Sequence, residues 1–202
     1  MLLRSSCTLA LWSACLAVTA AALPAAEQFL TNGDFEQFSV ALPDGWALDA
    51  GVTGFGTLSR LTPAPSGLYA VKLAPNANNT NSALQFGIGQ AIEGSRVAGK
   101  SARLSARIQS EGGAQGVLIC AALLQDNSVA ILARLRDYGL SGAFAALSQV
   151  VDIPAGAQFI FVLAVVEGTT GSASFDALSA LESPPAKQVD LDQDLAAAQQ
   201  AS

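Results

Sequence analysis

Histidine is absent from this 202-residue chain. That absence removes the Ser-His-Asp and Cys-His nucleophilic systems and the histidine-rich zinc sites. Two-carboxylate chemistry survives, because it needs only Asp and Glu. Cysteine is almost as scarce, with three in all, two of them (Cys7 and Cys15) near the start of the chain. Cys120 is alone in the remainder and cannot close an internal disulfide; its setting in the apolar run GVLICAALL marks it as a buried structural thiol. Basic residues are few, ten Lys and Arg against sixteen Asp and Glu, for a net charge of −6. Such a balance lacks the basic footprint that nucleic acid requires and offers no polybasic patch to anionic lipid. Aromatic residues make up only 6% of the chain, so few flat surfaces are available for stacking on a ligand.

What is present begins with an export pattern. Residues 1–26 open with Arg4, run through TLALWSACLAVTAAAL and end in small residues, the form of a signal peptide. The apolar run is short for a membrane span and has no basic stop after it. Cleavage after Ala22, Ala25 or Ala26 fits equally well. A lipoprotein reading on Cys15 is weakened by Trp12, which stands where a lipobox usually has Leu. The expected location is therefore periplasmic or extracellular.

Residues 27–183 alternate short β-like runs with Gly, Pro, Asn and Ser punctuation. In SARLSARIQS, Ala102, Leu104, Ala106 and Ile108 share one face and Arg103, Ser105, Arg107 and Gln109 the other, the alternation of a half-buried strand. GVLICAALL is apolar throughout, as in a strand covered on both faces or central in a sheet. VAILARLRDYG follows across an Asp-Asn-Ser turn, which makes the two runs a hairpin. LSQVVD and AQFIFVLAVVEG flank a Pro-Ala-Gly turn, and SASFDALSAL closes the series. Strands so short and so evenly spaced predict an all-β fold, an antiparallel β-sandwich of jelly-roll type. Residues 184–202 change character to a polar, acidic, Ala/Gln-rich sequence and read as a flexible tail.

The order of motifs is NGDFE, DGW, G-x-Y-x-V-x-L, GIGQAI, AGK, IPAGA and SFDALSAL. This order resembles the carbohydrate-binding modules of the galactose-binding-domain-like jelly-roll superfamily, over Phe29 to about Leu181. The resemblance implies that Phe35-Glu36 and Phe175-Asp176 lie close together on neighbouring strands. It further implies that Glu36 and Asp176 hold a structural Ca2+, with the backbone carbonyls of Asn32 and Lys72 as further ligands. Two carboxylates and several carbonyls suit a cation that takes six to eight oxygens. Solvated or turn-bonded carboxylates are the alternative. Trp46 and Tyr69 are assigned to the core.

A sugar site needs an aromatic face and a few directed polar groups. Phe55 in the Gly-rich GVTGFGT, and Tyr138 and Phe144 flanking RDYGLSGAF, are the candidate rings. Arg134 and Arg136 are candidate polar partners, joined by Arg103 and Arg107 if the two strands are adjacent in one sheet. The alternative for these arginines is pairing with Asp126, Asp137 or Glu111 on a solvated face. The expected function is a secreted, non-catalytic module binding a poly- or oligosaccharide, with no nucleic acid and no membrane span. A structural or adhesive surface protein on the same sandwich is the competing reading. The acids Asp34, Glu36, Asp44 and Asp49 lie in one local segment, an unpromising arrangement for carboxylates that must flank a bond. No enzyme activity is therefore expected.

Overall fold

The computed structural model describes residues 26–48, 54–80 and 85–184. The signal-peptide and tail expectations fall on residues outside these, apart from Ala26 and Pro184. Strands dominate. Three two-residue pieces come first, β1 (Phe38–Ser39), β2 (Leu42–Pro43) and β3 (Ala47–Leu48). They are followed by β4 (Gly56–Leu61), β5 (Ala70–Pro75), β6 (Gln85–Glu93), a single helical turn α1 (Gly94–Val97), β7 (Ser101–Glu111) and β8 (Gln115–Leu124). β9 (Val129–Asp137), β10 (Ala145–Asp152), β11 (Ala157–Glu167) and β12 (Ser172–Ser183) complete the chain. No helix among the described residues is long and apolar enough to cross a membrane.

The long strands form two five-stranded antiparallel sheets, ordered β10-β7-β12-β5-β4 and β3-β6-β11-β8-β9. Each contributes one apolar face to a shared core. On β7 the alternation reads through directly: Ala102, Leu104, Ala106 and Ile108 are buried while Arg103 and Arg107 are exposed. Phe29, Phe35, Phe86 and Phe175 fill the interior with Leu73, Ile88, Leu118 and Ile160. Each such side chain contributes on the order of 1.5–3 kcal/mol by leaving water.

The segment TNGDFEQF departs from the expectation of neighbouring strands. Asn32 and Phe35 adopt φ of 47° and 57°, in the left-handed region that breaks a strand. The segment therefore runs largely as turns, tied to β12 by Leu178 N donating to the Gly33 carbonyl at 2.8 Å, next to the bridge between Gln28 and Leu181. It is held from the other side by Gln90 on β6, whose amide accepts from Thr31 N at 2.8 Å and donates to the carbonyls of Thr31 (3.1 Å) and Gly45 (3.0 Å). Trp46 is buried against Phe35, ring centroids 5.2 Å apart, and its Nε1 donates to the Asn32 carbonyl. Tyr69 is not in the core. It is half-buried at the edge, where Phe38 meets it edge-on and Arg60 lies over both rings.

Candidate functional site

The strand registers place the candidate arginines. Arg134 and Arg136 share the outer face of β9, at the rim of the second sheet, whereas Arg103 and Arg107 lie on β7 in the first. A single arginine stripe does not form, because the two strands belong to opposite sheets. Nor do the anticipated partners appear: Arg136 pairs with Glu167 at 2.8 Å and donates to Gln115 Oε1 at 2.7 Å. Asp126 accepts from Ser128, Asp137 is buried, and Glu111 pairs with Lys72. Arg134 forms no ion pair among the described residues.

The candidate rings separate as well. Phe55 does not stand free in its loop; it is half-buried and packs against the main core ahead of β4. Phe144 is half-buried at the entry to β10, in the sheet opposite Arg134. Tyr138 follows β9, is 62% exposed, and has the Arg136 guanidinium 5.9 Å from its ring centre.

Two rings that the sequence reading passed over lie on the second sheet's outer face. In β11 the inward set is Ile160, Val162 and Ala164, so Phe159, Phe161, Leu163 and Val165 point outward. Phe159 and Phe161 lie nearly parallel, 27° apart with centroids separated by 6.3 Å. Across the sheet Phe161 is level with Ala91, Ala121 and Ile131, and Leu163 with Gly89, Ile119 and Arg134. Beside them a depression of about 370 Å³ opens among Ala47, Gly89, Ala91, Phe161 and Leu163. Gly89 leaves room for the Leu163 side chain, whose Cδ2 would lie 2.4 Å from a Cβ at 89 and would have to shift to admit one. At one end Val117, Ile119 and Val165 form a small second apolar cluster next to the Arg136–Glu167–Gln115 group. The signal for this face was the run FIFVLAVV, apolar on both alternating sets.

The carboxylates Glu36 and Asp176 do converge, on the loop between β4 and β5. Glu36 Oε1 accepts from Leu68 N (2.8 Å) and Tyr69 N (3.0 Å). Asp176 is fully buried; Oδ2 accepts from Ser66 N (2.6 Å) and Oδ1 from Ala177 N (2.7 Å). Gly67, at φ 68°, lets the chain pass Glu36, whose Oε1 would lie 2.2 Å from any Cβ there. Burial raises the Asp176 pKa above the usual carboxylate range and the Glu36 charge adds to this, against the Ser66 and Ala177 amides and Arg107. The Asn32 carbonyl does not serve the pair, because Trp46 Nε1 and Phe35 N already donate to it. Among the described residues no third Asp, Glu or Cys joins them. Two mutually repelling carboxylates fit one side of a calcium cage in charge, and backbone carbonyls would have to supply the remaining oxygens.

The two-sheet sandwich has the jelly-roll fold found in solved carbohydrate-binding modules. The fold matches a xylan-binding family 22 carbohydrate-binding module from Paenibacillus barcinonensis with TM-score 0.57 at 12% identity, covering 82% of this chain and 100% of that one. A family 16 carbohydrate-binding module matches with TM-score 0.53 at 18% identity, over 75% and 98% of the two chains. A larger Clostridium thermocellum xylanase structure complexed with xylohexaose matches with TM-score 0.55 at 12% identity, over 81% of this chain but only 30% of its own length. At these identities the likeness is one of fold. No family model matches the sequence, and no curated protein matches it significantly.

Proposed function

We propose that this chain is an exported, non-catalytic carbohydrate-binding module that takes a poly- or oligosaccharide on the outer face of the β3-β6-β11-β8-β9 sheet. The observation that carries the reading is the pair of near-parallel rings, Phe159 and Phe161, beside an open depression on a sheet face rimmed by arginine. Aromatic faces meet the C–H side of a sugar ring, and guanidinium groups donate to its oxygens. One matched module is a xylan-binding domain and another matched structure holds xylohexaose, which supports a glycan as the ligand class. Export is supported by the basic, apolar and small-residue order of the first 26 residues.

Affinity electrophoresis across a panel of soluble polysaccharides tests the reading. Retardation by at least one glycan is expected, weakened about tenfold, or ~1.4 kcal/mol, by Phe161→Ala with the melting temperature little changed. Silence across the panel would sink it in favour of a structural or adhesive role. We also propose that the Glu36–Asp176 pair takes up Ca2+, which would relieve the repulsion between the two charges. Chelation should then lower the melting temperature, and Glu36→Ala should remove that response; an unchanged melt retires the metal.

A further inference from the structure

The proposed face carries an unbalanced charge. Arg136 is committed to Glu167 and Gln115, but Arg134 is exposed and meets no carboxylate among the described residues. Its row across the sheet is Ile119, Leu163, Gly89 and Ala47, none of which offers a side-chain acceptor. The Arg134 guanidinium, on the same face two strands from the Leu163 edge of the depression, is therefore left to water or to a ligand. From this we propose that the preferred glycan is acidic, a hexuronate-bearing poly- or oligosaccharide whose carboxylate is taken by Arg134. The inference rests on the reading of this face as the sugar site and adds its specificity.

The geometry suits such a chain. Arg134 lies two strands from Phe161 and one outward-facing position along, a separation of roughly 12 Å from ordinary sheet spacings. That is about the length of a disaccharide, so one residue can seat its carboxylate at Arg134 while the chain continues over Phe161. A guanidinium holds a carboxylate with two parallel N–H···O bonds, and an apolar row beneath strengthens them relative to open water. The chain as a whole carries −6, so long-range attraction does not bring a polyanion in. Selectivity for acid therefore has to come from this local contact.

Calorimetric titration of the full protein with polygalacturonate and alginate, against carboxyl-reduced polygalacturonate and xylan, tests the assignment. At least one uronan should bind about tenfold tighter than the neutral polymers, and Arg134→Gln should collapse that ratio about tenfold. Arg134→Lys, which keeps the charge and loses the fork, should restore only part of it. Neutral polymers binding as tightly as the uronans, or a ratio that Arg134→Gln leaves unchanged, would overturn the acidic preference while the sugar-binding face stands. No binding to either set would overturn both.

Discussion

Removing the Asp176 carboxylate isolates what the buried acid does for the fold. Asp176→Ala deletes both acceptors at the centre of the β4–β5 loop anchor, leaving Ser66 N and Ala177 N without partners. Bonds to a charged acceptor contribute about 1.5–3 kcal/mol each, but the raised Asp176 pKa shows that burying the charge offsets part of this. The expected loss is about 2–4 kcal/mol, which for a domain of this size lowers the melting temperature by roughly 5–15 °C. Urea unfolding in chelator, followed by tryptophan fluorescence, measures it. A companion variant, Asp176→Asn, gives the pH test. Because the folded pKa lies above the unfolded one, the folded state holds the proton to higher pH. The contribution of Asp176 is then fully present below the ordinary carboxylate value and is lost as pH rises through the folded value. The wild-type advantage over Asp176→Asn should shrink as pH rises above the ordinary carboxylate value in chelator, and calcium should reverse the trend by favouring the charged form. A loss below about 1 kcal/mol for Asp176→Ala, or an advantage that grows with pH in chelator, would refute the reasoning.

Ser110 is buried, donates to the Asp137 carbonyl at 3.0 Å and accepts from Gly116 N at 2.8 Å. Ser110→Ala leaves that buried amide unpaired and should cost about 2–3 kcal/mol in urea unfolding. Burial pushes the Cys120 thiol up to about 12, so iodoacetamide should leave the native protein unlabelled near pH 8 and label it fully in urea. Gln90→Ala removes three bonds that hold residues 31 and 45 on β6 and should make the 28–48 segment the first site of limited proteolysis, read by mass spectrometry.

The parts of this protein that were legible in the sequence are those set by local periodicity. SARLSARIQS announces both its strand and its buried face, because successive side chains must point to opposite sides of a sheet. The apolar run around Cys120 likewise declares a central strand, and β8 lies between β11 and β9. The approach of Glu36 to Asp176 was legible only through a resemblance, since nothing local relates residues that far apart.

The binding face was decided by tertiary structure alone. Whether Arg103 and Arg134 share a surface depends on which strands pair, and that is fixed by long-range hydrogen bonding between strands that composition does not encode. FIFVLAVV is apolar at both alternating positions, so its pattern cannot say whether Ile160 or Phe161 faces the core. The register with β6 and β8 sends Ile160 and Val162 inward and leaves Phe159 and Phe161 outside. The sequence by itself determined a β-sandwich with an acidic balance and no histidine chemistry. Only the packing of one sheet against the other determined which aromatic rings were spared from the core, because a core accepts one face of each strand and leaves the other to solvent or to a ligand.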